Sequence, residues 1–380
     1  MSAPPCLLVS GDFVKTGGMD RANHALASHL ARSGREVHIV AFGIDDELRR
    51  TPGIVFHPVP KPGGSYTLAL PLLDGFGRRW AKRLTSRSPG ARVIVNGGCS
   101  RWGDVNWVHY VHAAHRPQVR RGMARWLASE WNHHRWLHDE RAALTQARIV
   151  IANSQRTRRD VIERLGVDPA RVKVVYLGVD ADRFAPATAD EKMCERRALG
   201  LDEHRPIVAF IGAMSDRRKG FDLLFDAWAM LCRDGNWDAQ LLVVGAGAEV
   251  PAWQSAAAAV GVESRMRFLG LRDDVPRILR ASDLLVAPAR YEAYGLSVHE
   301  ALCCGVPAMV SESAGVAERF TPAMSGWLLP DRLTPAHLAA RLRDWQRGAI
   351  GGVDQLPALS NTLRAHTWDE MAAEISRFMS

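Results

Sequence analysis

A strand, a glycine-bearing loop and a helix follow one another within residues 284–307. The continuous apolar run at residues 284–287 is typical of a buried parallel strand. After it, residues 288–307 read P-A-R-Y-E-A-Y-G-L-S-V-H-E-A-L-C-C-G-V-P, and a helix is predicted to begin near Gly295 or Leu296. In doubly wound α/β sheets, ligands bind beyond the carboxyl ends of the strands, where the following helices begin. The order of elements therefore predicts a ligand site in an α/β fold.

The residue types at this site suit an anion. Gly295 lets a phosphate approach the backbone closely, and the N–H groups of Gly295, Leu296 and Ser297 would point at it along the helix dipole. Glu300, one turn further into the helix, can accept hydrogen bonds from a ribose diol. Glu292 would lie beyond the phosphates, where a sugar would hang. The alternative is an ordinary strand, loop and helix with two solvated glutamates.

The stretch resembles the signature of retaining glycosyltransferase family 4. In that family two glutamates separated by seven residues enclose a Gly-Leu pair and precede an A-x-x-C-G-x-P tail. The residues that match are Glu292, Gly295, Leu296, Glu300, Ala301, Cys304, Gly305 and Pro307. The resemblance implies the α/β fold called GT-B, with two doubly wound Rossmann-like domains facing across a cleft. It also implies that Tyr294 and the first helical residues contact the donor.

Length and composition agree with two domains. A chain of 380 residues is too long for one ordinary core, and 47% hydrophobic with 24% charged residues is typical of a globular protein. No apolar run reaches the roughly 18 residues of a membrane span, and the first residues lack the basic region of a signal peptide. The six cysteines form no C-x-x-C pair, which disfavours a zinc ribbon or a redox dithiol. We expect a cytoplasmic protein.

Positive charge is concentrated in the first half. Residues 1–185 hold 28 Lys and Arg against 16 Asp and Glu, whereas the remainder holds 21 against 25, within a net charge of +8. This asymmetry suits an acidic acceptor, an anionic membrane leaflet or a nucleotide diphosphate. Nucleic acid is not expected as a partner, because no recognised binding module accompanies the charge.

The N-terminal segment predicts a second phosphate-binding arrangement. A strand at residues 6–10 is followed by the pair Gly17-Gly18 and by a helix at residues 19–31. The G-x-G-x-x-G pattern is absent, which disfavours a dehydrogenase. The loop resembles the family's Gly-Gly turn, which implies that Gly18 faces the donor phosphate while Gly17 and Asp20 face the acceptor. Asp20 also fits an ordinary helix start.

A basic helix is predicted at residues 67–87. Its end places Arg78, Arg79, Lys82 and Arg83 around Trp80. Such a helix can lie on an anionic membrane, so peripheral association with the inner face of the membrane is one interpretation. The other is a solvated protein surface.

Residues 102–136 are rich in His, Trp and Arg, and the run W-V-H-Y-V-H-A-A-H at residues 107–115 has strand-to-loop character. His109, His112 and His115 recur every third residue, but no Cys or carboxylate is set close by, which disfavours a metal site. The resemblance implies that His112 faces the donor sugar in the central active-site loop. His109 is the second match, and we assign it to the acceptor. Packed or surface histidines remain the alternative.

The second domain is predicted to open with a strand at residues 207–212 and a loop that contains Lys219. Lys219 matches the family's lysine that contacts the donor diphosphate and stabilises the leaving group. The arginine usual after the first glycine of that loop is Ala213 here, so Arg217 or Arg218 would have to supply the missing cation. Backbone groups of Leu271 and Arg272 match the base-binding edge.

These features predict an acceptor-binding domain at residues 1–185 and a nucleotide-sugar-binding domain at residues 186–360. An amphipathic helix at residues 361–380 is expected to return to the first domain; the alternative is that it completes the second.

The implied reaction moves a hexose or N-acetylhexosamine from a nucleotide diphosphate sugar, a UDP-sugar in preference to GDP-mannose, with retention of configuration. The acceptor is a glycan, a lipid-linked molecule or a small molecule, and neither a cofactor nor a metal ion is required. Lys219 and Arg218 would stabilise the leaving group, while Glu292 and His112 orient the sugar. A mannosyltransferase, a nucleotide-sugar epimerase or phosphorylase, and a non-catalytic nucleotide-binding partner protein remain alternatives.

Overall fold

The structure, a computed structural model, describes residues 3–118, 123–215 and 217–379. The chain divides into two compact units. Unit 1 comprises Met1–Gly178 together with Thr367–Ser380, and unit 2 comprises Val179–His366.

Parallel strands build the sheet of unit 1. In its described part the order is β5-β3-β1-β6-β7-β8-β9, so consecutive strands run outward in both directions from β1. A separate short pair joins β2 to β4. The strands are β1 (Cys6–Val9), β2 (Asp12–Phe13), β3 (Val37–Ala41), β4 (Gly43–Ile44), β5 (Ile54–Pro58), β6 (Arg92–Asn96), β7 (Val105–Val108), β8 (Ile149–Ala152) and β9 (Val172–Val174). The central strands are buried on both faces, which explains their continuous apolar runs.

Helices cover both faces of this sheet. Those from the first segment of unit 1 are α1 (Gly18–Arg32), α2 (Asp46–Arg50), α3 (Tyr66–Arg87), α4 (Met123–Gln146) and α5 (Gln155–Leu165). The strand-to-loop character expected for the run at residues 107–115 is confirmed, because β7 ends at Val108 and a loop follows it. Helix α4, which begins at Met123, was not predicted. Its residues Trp126, Leu127 and Trp131 are exposed, whereas Leu144 near its end is buried.

Unit 2 has the same architecture. Its described strands are all parallel and run in the order β12-β11-β10-β13-β14-β15. They are β10 (Ile207–Ile211), β11 (Gln240–Val244), β12 (Met266–Gly270), β13 (Leu284–Ala287), β14 (Ala308–Ser311) and β15 (Leu328–Leu329). The helices are α6 (Ala189–Ala198), α7 (Phe221–Arg233), α8 (Val250–Ala259), α9 (Val275–Ala281), α10 (Leu296–Cys303), α11 (Pro335–Gln346) and α12 (Leu356–Arg364).

The chain ends with α13 (Trp368–Arg377), which packs on α1 within unit 1. Met371, Ala372 and Ile375 are buried, and Asp369 pairs with Arg32 and with His29. The single helix expected over residues 361–380 is wrong. Helix α12 ends at Arg364, and the side chain of Thr367 accepts a hydrogen bond from the Glu370 N–H to start a new helix.

Strand order reverses between β1 and β6 in unit 1 and between β10 and β13 in unit 2. These reversals are the positions at which doubly wound sheets bind ligands. The predicted α/β fold with two Rossmann-like domains is therefore confirmed.

Among the helices that the structure describes, none is long and apolar enough to cross a membrane.

Candidate functional site

The loop between β13 and α10 is held tightly at Gly295. This glycine caps α10 with φ 111° and ψ 57°, a backbone conformation that L side chains rarely adopt. A Cβ there would lie 2.8 Å from Cγ1 of Val316, and the Val316 N–H donates to the Tyr294 carbonyl at 2.7 Å. The first N–H groups of a helix lack intrahelical acceptors, so the start at Leu296 leaves an electropositive end at the switch point.

Glu292 carries the charge of this loop. Its half-buried carboxylate contacts the Lys219 ammonium and lies 3.7 Å from Nη1 of Arg218. Burial opposes its ionisation, but Lys219 and then Arg218 hold the pKa of Glu292 below its ordinary value. Lys219, Glu292, Gly295 and Ser297 line one small pocket at the carboxyl ends of β10 and β13.

Two loops bring these charges together by direct backbone contact. Arg218 donates from Nη1 to the Tyr291 carbonyl at 3.2 Å, and its own carbonyl accepts from the Arg290 N–H at 2.8 Å. Gly220 has φ 71°, and a Cβ there would lie only 1.9 Å from the Pro288 carbonyl oxygen. Only glycine allows this approach, which sets Lys219 beside Glu292.

The two arginines proposed to replace the family's missing cation have different positions. Arg217 takes a left-handed backbone conformation with φ 58°, and its Nη1 lies 3.5 Å from the Asp222 carboxylate. Arg218 is the one that faces Glu292. The geometry therefore places Arg218, and not Arg217, in the charged cluster around Lys219.

The remaining residues predicted to bind the donor, apart from Gly18 in unit 1, lie in the same unit. Glu300 is buried on α10 at 3% exposure, and the Tyr294 hydroxyl lies 2.5 Å from Nδ1 of His299. Burial lowers the pKa of His299 to about 3, so its ring is neutral.

The residues predicted to bind the base, Leu271 and Arg272, follow β12. Two strands, β11 and β10, lie between β12 and β13 in the sheet. The Arg272 guanidinium is occupied by Asp274 at 2.7 and 2.6 Å, which leaves only backbone groups for a base.

Unit 1 contains a separate cavity of about 290 Å³, which we call the unit 1 pocket. It lies at the carboxyl ends of β6 and β7 and is closed by α1, α3 and α4. Its lining comprises Met19, Leu70, Asn96, Gly97, Gly98, Cys99, His109, Tyr110, His112, Trp136, Asp139 and Glu140. The structure thus brings two of the three predicted histidines, His109 and His112, into one cavity.

Both histidines of the pocket are neutral at pH 7. Burial and then His133 lower the pKa of His112 to about 4, and burial lowers that of His109 to about 3. The His112 ring lies between Tyr110 and Trp136, with ring centroids 4.8 and 5.2 Å away. Within the described residues, no three His, Cys, Asp or Glu side chains are grouped so that they could hold a metal ion.

Glu140 is the pocket residue that sequence reasoning missed. It is fully buried on α4, and its two carboxylate oxygens accept hydrogen bonds from the N–H groups of His112 at 2.8 Å and Ala113 at 3.2 Å. Burial raises the pKa of Glu140 to about 7, against the lowering effect of these bonds. Without α4 in view, nothing in the sequence linked this glutamate to the histidine loop 28 residues earlier.

The Gly-Gly turn lies where β1 leads into α1. Gly17, with φ 77°, caps α1, and Gly18 is its first residue. Asp20 makes no cap; within the described structure its buried Oδ1 has no hydrogen-bond partner. Burial and the nearby Asp12 raise the pKa of Asp20 to about 7, and Lys61 opposes them.

The predicted site residues fall into one group in each unit. Unit 1 holds Gly17, Gly18, Asp20, His109 and His112, and unit 2 holds Arg218, Lys219, Leu271, Arg272, Glu292, Tyr294, Gly295, Leu296, Ser297 and Glu300.

Comparisons with known proteins agree with this division. The family model described as "Glycosyltransferase Family 4" matches residues 16–183, and "Glycosyl transferases group 1" matches residues 205–346. The D-inositol 3-phosphate glycosyltransferase of Salinispora arenicola is 30% identical over 352 residues, covering 86% of this chain and 78% of the relative. The Salinispora tropica enzyme of the same name is 30% identical, with 82% and 70% covered.

Solved structures with the same fold cover almost the whole chain. WaaG, a glycosyltransferase involved in lipopolysaccharide biosynthesis, superposes with a TM-score of 0.78 at 21% identity over 99% of both chains. Sucrose-phosphate synthase from Thermosynechococcus elongatus gives 0.76 at 22% identity, covering 98% of this chain and 97% of its own. Anabaena Alr3699/HepE in complex with UDP and glucose gives 0.71 at 20% identity over 98% of each chain.

Proposed function

Because the chain belongs to glycosyltransferase family 4 and is a glycosyltransferase of the GT-B fold, we propose that it moves a hexose or N-acetylhexosamine from a nucleotide diphosphate sugar to an acceptor hydroxyl. The observation that carries the proposal is the cluster of Lys219, Arg218 and Glu292 beside the start of α10. Two cations face one carboxylate, which leaves one positive charge for an anionic ligand.

In this proposal the donor diphosphate binds at the N-terminus of α10. The N–H groups of Gly295, Leu296 and Ser297 hold its oxygens, and Lys219 with Arg218 stabilises the charge that develops as the diphosphate leaves. Because the cluster is already fixed by backbone contacts between its two loops, little reorganisation is needed when that charge appears.

Other residues of unit 2 position the rest of the donor. Glu300 accepts hydrogen bonds from the ribose diol, and backbone groups of Leu271 and Arg272 meet the nucleobase. The Tyr294–His299 contact supports the loop that carries Glu292, which orients the sugar.

Unit 1 supplies the acceptor side of the proposed site. The neutral His112 ring orients the transferred sugar, and Gly17, Asp20 and His109 contact the acceptor. Gly18 contributes its N–H to the donor phosphate. The sugar is transferred with retention of configuration, and neither His112 nor Glu292 serves as a covalent nucleophile.

A UDP-sugar is the preferred donor and GDP-mannose the alternative. This preference is supported by the complexes of Anabaena Alr3699/HepE with UDP and with UDP-glucose. The acceptor is a glycan, a lipid-linked molecule or a small molecule; the relatives named D-inositol 3-phosphate glycosyltransferases favour a small molecule.

Incubation with single nucleotide sugars tests the donor assignment. We expect UDP release from UDP-glucose or UDP-N-acetylglucosamine, detected by mass, with little GDP from GDP-mannose. Glu300→Ala should weaken UDP binding, and Glu374→Ala on the final helix serves as a control. Release of GDP alone would overturn the preference for UDP, and an isomerised nucleotide sugar without release would indicate an epimerase.

We also propose peripheral binding to anionic membranes at their cytoplasmic face through α3. Leu68, Leu72 and Phe76 are exposed at helical spacing, and a basic group that includes Arg79 and Lys82 follows them. Trp80 does not take part, because its ring stacks on His57 at 3.6 Å. Co-sedimentation with phosphatidylglycerol vesicles should be lost in Leu68→Asn/Leu72→Asn. Equal binding to phosphatidylcholine vesicles, or no effect of the variant, would reject the proposal.

A further inference from the structure

Most of the accessible surface that lines the unit 1 pocket is apolar. Met19 from α1, Leu70 from α3 and Trp136 from α4 form its walls together with Cys99 and the backbone of the Gly97–Cys99 turn. The pocket also contains His112, which the proposed function places at the transferred sugar. A group bound in this pocket would therefore lie next to the reacting centre and against apolar surface.

Positive charge is lacking on these walls. Among the described residues that line the pocket there is no Lys or Arg, whereas Asp139 and Glu140 are present. His109 and His112 add no cation at neutral pH, since burial holds the pKa values of both far below 7. A phosphate group in this pocket would be desolvated beside carboxylates with no cation to compensate it.

Glu140 and Asn96, two of the polar residues of the lining, are engaged in other hydrogen bonds. Both carboxylate oxygens of Glu140 are engaged by the N–H groups of His112 and Ala113. The amide of Asn96 donates to the Asn23 side chain at 2.8 Å, and Asn23 in turn donates to Ser10. These bonds support the loops and reduce the number of hydrogen-bonding atoms that are available to a strongly polar ligand.

We infer that the acceptor carries an uncharged apolar group, an aromatic ring system or a short alkyl segment, which occupies the unit 1 pocket beside His112. The inference rests on the proposed function, because it is that function which brings the acceptor to this unit. The cavity of about 290 Å³ is at the lower end of the range for small-molecule pockets, so it excludes a bulky lipid body. An acceptor phosphate, if present, would bind elsewhere.

A neutral apolar fluorophore, N-phenyl-1-naphthylamine, provides a direct test with the full chain. We expect saturable binding of one molecule per protein. Met19→Asn and Leu70→Asn should each weaken it at least tenfold, because each places an amide in the apolar wall. Met123→Asn is the matched control, since Met123 is 74% exposed on α4 and lies outside the pocket lining. Met19 is itself 38% exposed, so its replacement should leave folding intact.

Competition identifies the chemistry of the ligand. Octyl β-D-glucoside, kept below its micelle concentration, should displace the fluorophore, whereas glucose and D-inositol 3-phosphate should not. The inference is overturned if neither pocket variant weakens binding more than Met123→Asn, or if D-inositol 3-phosphate displaces the probe. Calorimetry with UDP distinguishes failure of this inference from failure of the proposed function. Retained UDP binding with a negative probe result rejects this inference alone, whereas absence of nucleotide binding rejects the proposed function.

Discussion

Lys219 and Glu292 illustrate how single residues combine stability with proposed chemistry. The Glu292 carboxylate is half-buried, and its ionised form depends on the two cations beside it. The same ammonium that stabilises Glu292 in the free protein would contact a diphosphate when the donor binds. A substitution at either position should therefore change folding and turnover together.

Lys219→Met should reduce the rate of UDP release by about 10² to 10³, because it removes a preorganised cation from the leaving group. It should also lower the free energy of unfolding by about 1 to 3 kcal/mol, since a half-buried carboxylate loses its closest partner and retains Arg218. Rates measured by UDP release and unfolding measured in urea check both effects. Lys192→Met, which removes a half-buried lysine paired with Asp283, is the control and should leave turnover unchanged.

Glu140 has no proposed catalytic role, but its hydrogen bonds to the N–H groups of His112 and Ala113 lead to a prediction. An amide can accept only one of the two hydrogen bonds from the histidine loop, so Glu140→Gln should lower kcat/KM about tenfold. Glu140→Asp would keep the charge but shorten the reach, and only partial recovery is expected. Activity equal to the native protein in Glu140→Gln would show that these bonds do not position His112.

Glu140 also predicts a pH dependence of stability. Its folded-state pKa of about 7 lies above the ordinary 4.5, so the native state binds more protons than the unfolded state between these values. Its contribution to stability is complete below about pH 4.5 and is lost as the pH rises through 7. In urea unfolding, the free energies of unfolding of the native and Glu140→Gln proteins should converge between pH 5 and 8, or the variant should become the more stable. If the difference between the two free energies of unfolding did not change with pH, the assigned environment of Glu140 would be contradicted. Asp20 titrates in the same range, but it is present in both proteins.

At the scale of elements, the sequence predicted several strands and helices closely because their cues are local. The apolar run at residues 284–287 is β13, and the strand expected at residues 6–10 and the helix expected at residues 19–31 differ from β1 and α1 by at most one residue at each end. These elements combine buried apolar runs with turn or capping residues, and both signals can be read within a few positions.

The elements that were missed depend on contacts distant in sequence. Helix α4 exposes Trp126, Leu127 and Trp131, so its packing against the Gly97–Cys99 turn is needed to show which face is buried. The contact of Glu140 with the histidine loop became visible only with that helix. Similarly, the choice between Arg217 and Arg218 depends on a left-handed residue and on a contact with a residue 73 positions later, which no local pattern records.

Gly220→Ala tests the contact between the two loops that form the charged cluster. The alanine would meet both the left-handed backbone cost and a carbonyl oxygen at 1.9 Å, for a total loss of roughly 3 kcal/mol or more in unfolding free energy. Gly235→Ala is the matched control, because φ is 75° there with no atom within 4 Å, and it should cost only about 1 kcal/mol. Equal losses, measured in urea, would show that the close approach is not required.

At the scale of the whole molecule, each unit has its own sheet and core, and unit 1 is built from two separate segments of chain. Apart from Gly18, the residues proposed to bind the donor lie in unit 2. A donor nucleotide should therefore stabilise the unfolding transition of unit 2, by about 2.7 kcal/mol at a concentration of 100 times Kd.

Two core substitutions can assign the transitions. Ile375→Ala on α13 and Leu338→Ala on α11 each truncate a fully buried side chain and should each cost about 2–5 kcal/mol. In scanning calorimetry, Leu338→Ala should lower the transition that UDP raises, and Ile375→Ala should lower the other. If Ile375→Ala removed the UDP-sensitive transition, the donor would not be assigned to unit 2.

The most direct measurement of the central proposal is calorimetric titration of UDP into the native protein and into Lys219→Met. The account predicts saturable binding of one UDP with micromolar Kd, weakened at least tenfold in Lys219→Met and unchanged in Lys192→Met. Failure of UDP, GDP and ADP to bind at millimolar concentration, or equal affinity for UDP in all three proteins, would contradict a diphosphate site at the start of α10.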